Sequence, residues 1–123
     1  MPIIILLAHG SLHCKSNQAF LAMVDRIATA LAPIRVVAAF LANGTPDLPS
    51  VLRQLAQENT HHVWIKPYFL SNGRHITHGL PTIVQTICEE CAELDIRILP
   101  TFENDPDIEL LLIKQITTMT TME

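Results

Sequence analysis

Charge is scarce in this sequence: Asp, Glu, Lys and Arg supply 16% of its 123 residues, against roughly 25% in an ordinary soluble domain. Hydrophobic residues supply 49%, which excludes intrinsic disorder, a state of low hydrophobicity and high charge. So few charges cannot coat a whole surface, and part of the apolar surface is expected to meet a partner. Only eight residues are basic and the formal net charge is -4, so no nucleic-acid-binding face is expected. No apolar run approaches the roughly 18 residues of a membrane-spanning helix. The run Ile3 to Ala8 has neither a positive leader nor a cleavage site, so no signal peptide is read. Three cysteines, an odd number, suit a reducing cytoplasm better than a disulfide framework. No P-loop and no G-x-G-x-x-G follows an apolar run, so no nucleotide is expected.

The length suits one domain, residues 1–123, and is too short for two. Pro2 to Leu7 is a continuous apolar run, the pattern of a strand buried on both faces. Ser16 or Asn17 can cap a following helix whose apolar positions, Phe20, Met23, Val24, Ile27 and Leu31, share one face. Arg35 to Leu41 is the second strand. Thr45-Pro46-Asp47 opens a second helix, with Leu48, Val51, Leu52 and Leu55 inward. His62 to Leu70 is the third strand, and Pro67, which cannot donate to a ladder, is expected to break or bulge it. Pro81 fits the first turn of a third helix, with Val84, Ile87, Cys88 and Cys91 on its apolar face. Asp95 to Leu99 is a fourth strand, and Asp105-Pro106 caps a last helix through Ile108, Leu111, Leu112 and Ile116.

Strands alternating with helices predict parallel βαβ units in a three-layer α/β/α domain. Right-handed crossovers give the four-stranded sheet the order 2-1-3-4, as in half of a flavodoxin-like fold. Its topological switch falls between strands one and three, where open α/β sheets bind ligands beyond the carboxyl ends of their strands.

Glycines and histidines concentrate at that edge. Gly10, Gly44 and Gly73 each follow a strand, and Gly79 lies in the same loop region as Gly73. His9 and His13 lie in the loop after strand one, and His75 and His78 in the loop after strand three. A loop histidine is most often merely solvated. Two from separate loops at a switch point, however, can hold a divalent transition metal or accept protons from a substrate. His61 and His62 open strand three, roughly 20 Å from His75 at ~3.3 Å per residue, and read as surface residues. Cys88-Glu-Glu-Cys91 resembles a metal or redox pair, but its cysteines continue the apolar helical face and read as core. Cys14 beside His13 makes no convincing nucleophile–base pair. Lys15, Arg74 and Lys66 put positive charge near the same edge, suited to a carboxylate-rich ligand, and Tyr68 and Phe69 offer an apolar wall.

Several segments together resemble the CbiX-type short chelatases, the small sirohydrochlorin chelatases of the class II superfamily. They are Leu7-Ala8-His9-Gly10-Ser11, Ala39-Phe40-Leu41 before Gly44-Thr45-Pro46, and Pro67 to Leu70 leading to Gly73-Arg74-His75 and on to Pro81. The resemblance covers nearly the whole chain. It implies a cytoplasmic, homodimeric lyase that inserts a divalent metal into a sirohydrochlorin-type tetrapyrrole, in cobalamin or siroheme biosynthesis. The metal is a substrate, Co2+ first and Ni2+ or Fe2+ in relatives. By position, His9 and His75 match the histidines that bind metal and take pyrrole protons, and Ser11 and Arg74 are candidate substrate contacts.

The sequence also departs from that family. Ala42 stands where the family carries a glutamate, and Gly79 where it carries an aspartate. Those carboxylates would attract a dication and orient the histidines; His78 or His13 are candidate substitutes. The alternatives are a catalytically degenerate homologue that carries or senses tetrapyrrole or metal, and a small α/β hydrolase using His9 or Cys14.

Overall fold

A computed structural model describes residues 1–122, with His75 described by its backbone alone. Its elements are β1 (Ile3–Ala8), α1 (Cys14–Leu31), β2 (Val36–Phe40), α2 (Leu48–Gln57), β3 (His62–Pro67), α3 (Leu80–Glu90), β4 (Asp95–Ile98) and α4 (Pro106–Thr121). A five-residue π-helical turn, His75–Gly79, runs directly into α3. The strands are all parallel in the order β2-β1-β3-β4, as the crossover rule predicts.

The central position of β1 explains its unbroken apolar run. Ile5 and Leu7, both 0% exposed, face the core built with Leu48, Leu52, Ile65, Leu80 and Ile87 under α2 and α3. Ile4, Leu6 and Ala8 point the other way, into the core that Phe20 and Val24 of α1 share with Val36 and Phe40. Alternation thus feeds two cores from one strand.

Several boundaries differ from the sequence reading for local reasons. Helix α1 starts at Cys14 with His13 in the cap position and no side-chain cap, so Ser16 and Asn17 lie within its first turn. The Asn17 amide is engaged with loop backbone instead. In α2 the cap is Asp47, which accepts from the Ser50 amide at 3.3 Å, and the early proline is Pro49, not Pro46. Pro67 ends the strand, as expected, but without a bulge: it is the last residue of β3, opposite Leu7, and the next amide, Tyr68, donates to the Leu7 carbonyl at 2.7 Å.

Pro81 lies in the first turn of α3, whose buried residues are Leu80 and Ile87. Cys91 packs against the core, and the half-buried Cys88 thiol lies 3.8 Å from the Leu94 carbonyl, in keeping with a packing role. Asp105 caps α4, accepting from the Asp107 amide at 2.9 Å. The expected inner face of α4 stays outside: Leu111, Leu112 and Ile116 are 47%, 52% and 62% exposed, and no residue of this helix is buried.

Among the described residues, no helix is long and apolar enough to cross a membrane.

Candidate functional site

The loops after β1, β2, β3 and β4 meet at the carboxyl edge of the sheet. Parallel register aligns Leu7 with Ala39 on one side and with Pro67 on the other, so these loops leave from one level. Pairing continues past β2: the Leu41 amide donates to Ala8 at 2.9 Å and the Ala42 amide to His9 at 2.8 Å. This contact requires Gly10. Its φ is +98°, and a Cβ there would stand 1.6 Å from the Ala42 carbonyl oxygen. Only a residue without a side chain fits so close a backbone approach at that φ.

Asn17 joins the two loops. Its side-chain carbonyl accepts from the Ser11 amide at 2.9 Å, and its NH2 donates to the Ser11 and Asn43 carbonyls, each at 2.9 Å. The sequence offered Asn17 only as a helix cap. Its real partners lie 6 and 26 residues away, a spacing no local capping pattern encodes. Ser11 itself is half-buried, and its Oγ accepts from the His13 amide at 3.0 Å. The hydroxyl thus shapes the turn while its own proton stays available to donate.

His9 is exposed at the rim, its ring 6.1 Å from that of Phe69 and inclined by 42°. Phe69 therefore supplies the expected apolar wall, whereas Tyr68 turns to the other face and meets Phe20 and Phe102, with centroids at 5.6 and 5.9 Å. The backbone of His75 opens the π-helical turn; its side chain lies outside the described residues. The Gly73 carbonyl receives the amides of Ile76 and Thr77, both at 3.0 Å, and the Thr77 hydroxyl at 3.2 Å. A π-helical segment widens the backbone spiral and is frequent at functional sites. Arg74, just before this turn, and His78, within it, are exposed, and His13 is exposed at the start of α1.

Lys66 does not belong to the crevice. Its ammonium donates to the Pro100 carbonyl at 2.6 Å and lies 4.5 Å from the centre of the Phe102 ring, on the α1 side of the sheet. His62 is exposed at the amino edge, its Nδ1 3.3 Å from Asp95, as expected for a surface residue. A groove of about 510 Å3 also lies at the amino edge, lined by Arg53, Gln57, Glu90 and Leu94 among others. Arg53 and Glu90 form a bidentate pair there at 3.0 and 3.2 Å. The pair holds the Glu90 carboxyl below the usual carboxylate range and raises the Arg53 guanidinium. No imidazole of the described residues lines this groove.

The comparison with known families settles the ancestry. The CbiX family model matches residues 3–119. The chain belongs to the CbiX family of class II chelatases. A CbiX protein of Marinobacter aquaeolei, ascribed to cobalamin biosynthesis, superposes with a TM-score of 0.85 at 20% identity, covering 100% of both chains. SirB of Bacillus subtilis, solved with Fe3+, superposes with a TM-score of 0.77 at 18% identity, covering 88% of this chain and 43% of SirB. This chain therefore corresponds to less than half of SirB. No curated protein matches.

Ala42 is hydrogen-bonded to the backbone of His9. Gly79 ends the π-helical turn, with open space where a Cβ would stand. Among the described residues, no three His, Cys, Asp or Glu side chains gather into a cage.

Proposed function

We propose that this CbiX chain inserts a divalent metal substrate, Co2+ first and Ni2+ or Fe2+ as alternatives, into a sirohydrochlorin-type tetrapyrrole for cobalamin or siroheme formation. The observation that carries this reading is the exposed imidazole of His9 at the switch-point rim, across from the turn that His75 opens, in a chain of the chelatase family. Insertion replaces two pyrrole N–H protons by one dication, so the site must present metal and accept protons. His9 and His75 are assigned both tasks, since neutral imidazole ligates these metals and takes a proton near neutral pH. A sparse ligand set suits the task, because the ion must leave for the macrocycle nitrogens. The Arg74 guanidinium and the Ser11 hydroxyl are assigned to the macrocycle's carboxylates. One sheet edge makes one wall, and a second copy of the chain is assigned the other.

Anaerobic sirohydrochlorin offered Co2+, Ni2+ and Fe2+ in turn tests the reading by absorbance. Metallation is expected with at least one ion. His9→Ala and His75→Ala are each expected to slow it by 100-fold or more, and full rates in both variants overturn the assignment. Ala42 and Gly79 favour a second reading, a carrier of tetrapyrrole or metal without insertion. Tetrapyrrole binding with no metallation spectrum is its signature.

A further inference from the structure

Among the described residues, Thr101 is the one polar side chain that the fold buries, at 7% exposure. It stands in the loop between β4 and α4, and its hydroxyl is used both as donor and as acceptor. It donates to Asn72 Oδ1 at 2.6 Å and accepts from the Glu103 amide at 3.3 Å. The Asn72 amide in turn donates to the Glu103 carboxylate at 3.3 Å, which closes a ring of three residues. A buried hydroxyl is costly unless it is bonded. What it adds here over valine, of nearly the same shape, is direction.

That direction is imposed on the loop after β3. The Phe102 amide donates to the Phe69 carbonyl at 3.0 Å, at the start of this loop, and Thr101 grips Asn72 three residues later. Gly73 follows directly. Its carbonyl receives the amides of Ile76 and Thr77, both at 3.0 Å, and the Thr77 hydroxyl at 3.2 Å. The backbone of His75 is therefore bracketed: Ile76 and Thr77 reach back across it to Gly73, and Gly73 is fixed through Asn72 to Thr101. Asn72 and Thr101 lie 29 residues apart in sequence, so a contact between two loops decides where the π-helical turn begins. Loops are ordinarily the first segments to open; this one is tied to a buried anchor.

We infer that Thr101, acting through Asn72, is a positioning residue for His75. It is neither a ligand nor a proton acceptor; it fixes the backbone that carries the imidazole. The inference rests on the functional reading for what His75 does, and on the hydrogen bonds alone for where its backbone stands.

Three substitutions in the full chain test it. Thr101→Val removes the hydroxyl and keeps the shape, Thr101→Ser keeps the hydroxyl, and Asn72→Ala cuts the same bond from an exposed position. In hydrogen exchange without metal or tetrapyrrole, the Ile76 and Thr77 amides are expected to exchange about tenfold faster in Thr101→Val and Asn72→Ala, while the β1 amides of Ile5 and Leu7 keep the protection of the parent. Co2+ affinity is expected to fall about tenfold in the same two variants, and sirohydrochlorin metallation to slow about tenfold. Thr101→Ser is expected to match the parent within about twofold, and the double variant to lose no more than either single one, since both cut one bond. Unchanged exchange at Ile76 and Thr77 overturns the proposal. So does faster exchange with unchanged Co2+ affinity and metallation, and so does a loss in Thr101→Ser equal to that in Thr101→Val, the signature of packing alone. A parent that metallates nothing refutes the insertion reading, and exchange and Co2+ affinity still decide the role of Thr101.

Discussion

The Ala42 amide donates to the His9 carbonyl at 2.8 Å, so position 42 is tied to the residue proposed as metal ligand. A carboxylate introduced there would be carried on a backbone bonded directly to that of His9. Ala42→Glu is expected to raise Co2+ affinity by about tenfold, the lower end of what a supporting carboxylate contributes. Isothermal titration checks this, and an unchanged affinity removes position 42 from the site.

Gly79 has room for a second introduced carboxylate. Nothing lies within 4 Å of its would-be Cβ and its φ is ordinary for an L residue. Gly79→Asp is therefore expected to fold, and to gain about 0.4–1 kcal/mol from a less flexible unfolded chain. Metal affinity should rise with it. A loss of stability in urea denaturation would show that the π-helical turn needs glycine after all.

Two other glycines should respond differently to replacement by alanine. Gly10→Ala places a methyl 1.6 Å from the Ala42 carbonyl oxygen at a φ of +98°. The β1 and β2 loops must separate, at an expected cost of about 2–4 kcal/mol. Gly73→Ala has nothing within 4 Å and is expected to be neutral within about 0.5 kcal/mol. Equal denaturation midpoints for the two variants would refute the close approach.

Acid sensitivity should localise in part to Glu90. Hydrogen bonding to Arg53 holds its carboxyl below the ordinary range in the folded chain. A folded value below the unfolded one stabilises at pH above both, and that stabilisation is lost as pH falls through the folded value. Glu90→Gln should thus lower the urea midpoint slightly at neutral pH and flatten its decline on acidification. The pair is exposed, so the effect is small. A midpoint that falls as steeply in Glu90→Gln as in the parent excludes it.

Periodicity made most of the fold legible. The unbroken run of β1 announced a strand buried on both faces, and Ile5 and Leu7 against Ile4 and Leu6 show why no alternation appears. Crossover handedness then placed the histidine loops on one edge. What stayed hidden depends on contacts distant in sequence. Asn17 reads locally as a cap, yet it bonds to Ser11 and Asn43. Lys66 reads as a charge near the crevice, yet strand alternation carries it to the other face. The apolar positions of α4 read as an inner face, yet loop bonds from Asn72 to Thr101 and Glu103 direct the helix away. Apolar spacing tells which residues suit burial; it does not tell whether the fold of this chain buries them.

Asn17 has a thermodynamic consequence for whatever settles on the rim. With three hydrogen bonds it welds the His9–Ser11 segment to Ala42–Asn43, so the ordering of this shelf is completed during folding. A ligand landing there meets a surface whose conformational entropy is already gone, and retains more of its contact energy as affinity. Loosening Asn17 would leave the contact enthalpy of a bound macrocycle nearly unchanged and make its binding entropy less favourable. Position 17, which reaches the rim through Ser11 and Asn43, is thus a place where affinity can be tuned without altering the chemistry.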